Sequence, residues 1–168
     1  LNGGTAERLP GLLTRRDEFR SLLPDDPRVG EIAGRAMTFE EYMAGQAAGR
    51  DLRGRFTTER RRVLLHGHCH QKALVGTGPA RAALSLPVGY EVEEVDSGCC
   101  GMAGSFGYEA EHYAVSMRIA ERRLLPAVRA AAPETIIAAA GMSCREQIAH
   151  CSGRPALHPA QVLREALV

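Results

Sequence analysis

The sequence predicts an α/β fold, a mainly parallel sheet flanked by helices, with cysteine loops at the carboxyl ends of its strands. Three observations lead there. A chain of 168 residues suits one main core, because a fold of that size buries roughly 70% of the surface its unfolded chain exposes. Short apolar runs of strand length, at 63–65, 90–95, 135–140 and 156–157, alternate with helical patterns, the order that gives parallel strands joined by crossover helices in Rossmann-like layers. The first three runs each lead into a loop that holds cysteine: Cys69, then Cys99 with Cys100, then Cys144.

Taken in order, residues 1–14 hold Gly3, Gly4, Pro10 and Gly11 without periodicity and read as irregular. A helix is expected over 15–23, ended by Pro24 and the turn Asp25-Asp26-Pro27. A second helical region spans about 29–48, where Ile32, Ala36, Phe39, Tyr42 and Met43 form a stripe. Thr38 followed by Glu41 reads as a capping box that divides it in two. The polar, basic stretch over 49–62, closing on Arg60-Arg61-Arg62, reads as a solvated linker. The chain therefore divides into a helical N-terminal segment and linker over 1–61 and a cysteine-rich domain over 62–168.

Within that domain Pro79 suits the first turn of a helix over 78–86. A long helical pattern over 109–131 keeps Tyr113, Met117, Ala120, Leu124 and Val128 on one face, with Pro126 expected to kink or divide it. Ser143 reads as the cap of a helix over 144–150, and a closing helix follows His158-Pro159.

Composition removes several function classes. A net charge of +1 argues against nucleic acid or an anionic membrane surface as partner. No apolar run approaches the ~20 residues of a spanning helix, and no signal peptide is visible, so the expected place is the cytoplasm, at most peripheral at the inner face of the membrane. The first methionine is Met37, and the chain reads as a fragment or processed product. Five cysteines without a secretion signal suit metal or reactive thiols better than a disulfide framework.

The stretch Asp96-Ser97-Gly98-Cys99-Cys100-Gly101-Met102-Ala103-Gly104-Ser105-Phe106-Gly107 carries the chemistry. Adjacent cysteines reach relaxed disulfide geometry with difficulty, while glycines beside them let backbone approach a bulky group and turn N–H donors toward negative charge. In open parallel sheets ligands bind beyond the carboxyl ends of the strands, so Cys69, Cys99, Cys100 and Cys144 are expected to converge there as metal ligands. A single tetrahedral zinc could take four cysteines, or three with one histidine. Structural zinc sites, however, usually use Cys-x-x-Cys pairs, which are absent here. A multi-iron cluster presents several corners to vicinal thiolates.

His66, His68 and His70 bracket Cys69, and His158 ends the fourth strand unit. All four are candidates for hydrogen bonding to the site or for ligation. Lys72 and Arg145 are candidates for electrostatic tuning of thiolates or of an anionic cluster. Cys151, His112 and His150 read as bystanders. Gly101, Gly104 and Gly107 do not reproduce a dinucleotide fingerprint, and no catalytic triad, carboxylate pair or phosphate loop stands out. No catalytic residue is assigned.

The elements His66-Gly67-His68-Cys69-His70-Gln71-Lys72, Gly98-Cys99-Cys100-Gly101, Ser143-Cys144-Arg145 and Leu157-His158-Pro159 resemble the cysteine-rich CCG domain. That domain is found in heterodisulfide reductase, in the iron–sulfur subunits of glycolate oxidase and anaerobic glycerol-3-phosphate dehydrogenase, and in FAD-linked oxidases of D-2-hydroxy acids. The resemblance is strongest over 62–168 and looser over 12–50. It implies an iron–sulfur electron-transfer module, most simply 4Fe-4S, that relays electrons from FAD in a separate domain or subunit. The implied substrate is a D-2-hydroxy acid of the lactate, glycolate or 2-hydroxyglutarate class, and the acceptor a quinone or cytochrome. The family's final Cys-x-x-Cys is Cys144-Arg145-Glu146-Gln147 here, which argues against a double-cubane-like cluster and leaves an ordinary four-thiolate site, or zinc, open. Residues 1–61, without cysteine, correspond to the end of a preceding half, so a missing N-terminal cysteine-rich half is an expected partner. The competing readings are a zinc-stabilised binding module of a flavoprotein complex and a thiol–disulfide redox protein using Cys99 and Cys100.

Overall fold

The computed structural model describes residues 9–168; what the sequence suggests for 1–8 lies outside them. The strands are β1 (Arg61–His66), β2 (Tyr90–Glu94), β3 (Ile136–Ala139) and β4 (Ala156–Leu157), in the order β2-β1-β3-β4. All pairings are parallel, with Val63 of β1 level with Val92 on one side and Ile136 on the other. The helices are α1 (Leu9–Arg16), α2 (Glu18–Leu22), α3 (Arg28–Arg35), α4 (Phe39–Gly49), α5 (Cys69–Leu74), α6 (Gly78–Leu84), α7 (Tyr113–Glu121), α8 (Leu124–Ala130), α9 (Met142–Ser152) and α10 (Pro159–Glu165).

The two-residue alternation of the strands assigns each side chain to a layer. Val63, Leu65 and Ala138 pack with Ala80 and Leu84 of α6 and Val162 of α10. Leu64, Ile137 and Ala139 face the other way, onto Leu124 and Val128 of α8 and Ile148 of α9. Each fully buried Leu or Ile contributes roughly 1.5–3 kcal/mol relative to exposure. Both faces of the central strands β1 and β3 are thus covered, as all-parallel sheets require.

The N-terminal helices are not a detached preface. Phe39 and Met43 of α4 join Leu52 against Phe56, Ala83, Leu163 and Ala166. The stretch expected as a solvated linker contributes Phe56, which is buried and bridges Leu167. The Thr38–Glu41 capping box opens α4 as expected.

Four local expectations change. Residues 9–14 are helical, with Pro10 in the first turn of α1, where its missing N–H costs nothing. The pattern over 109–131 breaks at Arg122 and Arg123, before Pro126, which then lies in the first turn of α8. Tyr113 leaves the apolar face and is exposed. Gly141, not Ser143, is the cap of α9, so Cys144 lies in that helix's first turn. Arg154 ties this half together, its guanidinium donating to the carbonyls of Val128 at 2.9 Å, Ala131 at 2.8 Å and Thr135 at 2.7 Å.

Candidate metal centre

With strand order β2-β1-β3-β4, the chain leaves β1 toward β2 and returns on the opposite side to form β3. The carboxyl ends of β1 and β3 therefore flank the crevice where the winding reverses. His66 is the last residue of β1, and Cys69 opens α5 just beyond it rather than lying in a loop. Cys99 and Cys100 follow β2, and Cys144 follows β3.

The four thiols meet in one row. Cys69 and Cys99, Cys99 and Cys100, and Cys100 and Cys144 lie close enough that each shifts the ionisation of its neighbour. Burial increases along the row, from exposed Cys69 through half-buried Cys99 to buried Cys100 and Cys144. All five cysteines are free. Cys151 lies off the row, with its sulfur 3.4 Å from Met117 Sδ.

The thiols are pushed in opposite directions by their neighbours. Hydrogen bonds from Cys100 and Cys69, with backbone N–H groups of Gly101 and Ala103, hold Cys99 far below the usual thiol range. The Gly101 N–H lies 3.3 Å from Cys99 Sγ. Donation from Cys100, with His66 behind it, brings Cys144 down to about 5 against the opposing effect of burial, and the α9 N-terminus favours the same anion. Cys100 is held as a thiol by its bonds to Cys144 and Cys99, and Cys69 by its bond to Cys99, with burial adding to both.

The turn after the pair is built by backbone that side chains would spoil. Gly101 has φ 95° and Gly104 φ 72°, and Ala103 also lies at positive φ, 42°. A Cβ on Gly101 would strike the backbone carbonyl of Ser116. Gly141 plays the corresponding part on the β3 side, where a Cβ would overlap the His68 ring and stand 2.9 Å from Cys144 Sγ.

His66 is 1% exposed, its Nδ1 lies 2.8 Å from Ser97 Oγ, and its Nε2 is buried without a hydrogen-bond partner. A ring nitrogen of His66 and the sulfurs of Cys100 and Cys144 lie within 4.8 Å of one another. His68 also has a buried unpartnered Nδ1, and burial, first among several causes, lowers its pKa. His70 points away, toward Glu18 of α2 at 3.8 Å. His158 faces Glu40 at 3.9 Å and caps α10 through its own Nδ1, which accepts from the Ala160 N–H at 3.1 Å.

The two tuning cations differ. Lys72 is spent on the Ser97 carbonyl at 2.5 Å and Glu94 at 3.7 Å, so it braces the loop before the cysteine pair instead of facing the sulfurs. Arg145 donates to the carbonyls of Ala139 and Ala140 at the end of β3, with its charge close to Cys144. A hollow of about 300 Å³ opens beside Cys99, lined by Asp96, Ser97, Ile119, Arg122 and Arg123. A larger one, about 880 Å³, lies among α1, α3 and α4, away from the sulfurs. Ser97 and Gly141 were not singled out as site residues from sequence; the one signal was their position, just before the cysteine pair and just before Cys144.

This donor set fits a thiolate-held metal group. Four sulfurs from three strand ends, two buried imidazole nitrogens without partners and a turn of inward N–H donors make a soft, anion-tolerant cradle.

The relatives found are named as dehydrogenases or as a dehydrogenase subunit. The chain is 36% identical over 102 residues to D-2-hydroxyglutarate dehydrogenase of Escherichia coli (strain K12), a match covering 60% of this chain and 10% of that protein. It is 29% identical over 159 residues to D-2-hydroxyglutarate dehydrogenase of Pantoea ananatis (strain AJ13355), covering 93% and 15%. To one of the subunits of anaerobic glycerol-3-phosphate dehydrogenase of Escherichia coli (strain K12) it is 27% identical over 106 residues, covering 63% and 26%. The chain thus spans a small part of each relative's length. No protein-family model matches it, and no solved structure does. Among the described residues no helix is long and apolar enough to cross a membrane.

Proposed function

We propose that the chain is a CCG-type iron–sulfur electron-transfer module of a flavin-linked oxidoreductase, with Cys69, Cys99, Cys100 and Cys144 as the ligands of one cluster, most simply 4Fe-4S. The observation that carries this is the approach of four cysteines from three strand ends, near enough for neighbours to shift one another's ionisation. A bound cluster supplies one-electron transfer. The residues of this chain hold it, shield its inner side with the α8 and α9 core, and place charge around it through the Gly101 and Ala103 N–H groups and Arg145.

Relatives named D-2-hydroxyglutarate dehydrogenase support a D-2-hydroxy acid as the substrate class. On this reading it is oxidised at FAD held by another domain or subunit, and the acceptor is a quinone or cytochrome. A second reading has one specific observation in its favour: His66, Cys100 and Cys144 lie close enough together to share a single tetrahedral ion, as zinc in a structural module would require.

Metal analysis separates the two. Full-length protein purified anaerobically should contain iron and acid-labile sulfide at about four each per site, with a broad absorbance near 400 nm. Zinc near one per site would replace this reading with the structural module. Full activity of the intact enzyme after complete metal removal would overturn the electron-transfer role.

A further inference from the structure

His66 has two ring nitrogens in different surroundings, and a serine decides between them. Ser97 is 4% exposed, and among the described residues its hydroxyl has one hydrogen-bond partner, His66 Nδ1 at 2.8 Å. A buried hydroxyl has one proton to give, and leaving it without an acceptor costs about 1–3 kcal/mol. If Nδ1 carried hydrogen, that N–H would donate to Ser97 Oγ and the serine proton would have nowhere to go. If Nδ1 is the acceptor, the serine proton is satisfied and the neutral ring must carry its own proton on Nε2.

Nε2 is the buried atom with no hydrogen-bond partner. Sulfur lies close to the ring, since a ring nitrogen and the Cys100 and Cys144 sulfurs fall within 4.8 Å of one another, and Nδ1 is taken by Ser97. The ring is 1% exposed and held at Nδ1 by Ser97, at the end of a strand whose backbone pairs with β3.

We infer that Ser97 fixes His66 as the Nε2–H tautomer, making His66 a positioning residue whose N–H donates to the sulfurs of Cys144 and Cys100, and not a metal ligand. The inference rests on the thiolate site of the proposed function. Its consequence for that site is directional. A one-electron reduction, with the electron coming from a reduced flavin or from a chemical reductant in a titration, adds negative charge that spreads onto the ligating sulfurs. An N–H donor on those sulfurs stabilises the reduced form more than the oxidised one and raises the reduction potential.

The test compares His66→Gln, which keeps an N–H near the Nε2 position, with His66→Asn, which keeps a group for Ser97 but does not reach the sulfurs. It uses full-length protein prepared anaerobically. In His66→Asn the metal and sulfide content should match the parent while the midpoint potential moves negative. His66→Gln should recover most of that shift, and Ser97→Ala should show a smaller shift of the same sign. Loss of metal in both histidine variants would make His66 a ligand and overturn the inference, as would an unchanged potential in fully loaded His66→Asn.

Long-range proton–nitrogen correlation spectra of the histidine rings read the tautomer directly, with or without metal. An Nε2–H ring in the parent that becomes a tautomer mixture in Ser97→Ala supports the inference even if the protein holds no iron, a result that would remove the cluster reading alone. An Nδ1–H ring would overturn the inference and leave the cluster reading standing.

Discussion

The two ends of the sulfur row are built differently. Cys100 and Cys144 sit in the same apolar cluster as Leu124, Val128 and Ile148, with His66 beside them and the Gly141 backbone pressed against Cys144. Cys69 is exposed, on the first residue of a six-residue helix, and Cys99 is half-buried beside the hollow at Asp96 to Arg123. The inner pair belongs to the fold and the outer pair to the surface. On the proposed function such a gradient would hold the group from one side and expose it on the other, with electrons or exchanging metal passing at Cys69 and Cys99.

The sharpest way to break the comparison is to remove one sulfur at each end. Cys144→Ser should leave near-zero metal in anaerobically purified protein, whereas Cys69→Ser should keep a measurable fraction. Equal loss from both, read by metal analysis, would show that the row acts as a unit. Next in size is the support beneath the inner pair. Ile148→Ala should cost about 2–5 kcal/mol in denaturant unfolding through the cavity it leaves, and it should lower metal retention with no ligand changed.

Gly141→Ala tests the close approach. Its methyl has to displace His68 or Cys144, a cost of about 1–3 kcal/mol, and retention of full stability and metal would mean that the backbone gives way easily. Chemical labelling reads the gradient without mutation. In metal-free protein iodoacetamide should modify Cys69 and Cys99 first, because they are the accessible pair, and should reach Cys100 and Cys144 only on unfolding. Early labelling of Cys144, seen by peptide mass spectrometry, would contradict the buried end.

The smallest effect is one of pH, away from the sulfurs. Burial, with Arg145 nearby, holds His158 down to about 4 from its ordinary 6.5. A depressed folded pKa means that the unfolded chain takes up the proton first, so this share of stability is present above about 6.5 and is lost as pH falls toward 4. Protonation also turns the Nδ1 that accepts from the Ala160 N–H into a donor. His158→Asn, which can still cap α10, should flatten the fall in stability between those pH values; an unchanged slope would assign it to other groups.

Much of this was legible in the sequence because the signals were local. Apolar runs of strand length gave the strands, Thr38 with Glu41 gave a helix start, and cysteine after each of three runs gave the convergence at one edge. What escaped depends on partners far away in sequence. Pro10 and Gly11 look like breakers until α1 packs Leu13 into the interior. Lys72 looks like a cation for the sulfurs until the Ser97 carbonyl, brought close by the β1–β2 pairing, takes it. Phe56 lies in a run of polar residues, and only its packing against Ala83, Leu163 and Ala166 shows why it is buried. Ser97 gave no signal of its own, since its importance comes from facing the last residue of β1.

The strand order has one more consequence. Cys69, Cys99, Cys100 and Cys144 come together only when β1 has paired with both β2 and β3, and contacts of that sequence separation form slowly because the intervening chain has to be closed first. β3 is also the last of the three cysteine-bearing strands to be synthesised. A nascent or misfolded chain therefore offers scattered thiols, and on the proposed function incorporation of metal would be a checkpoint that reports a completed sheet.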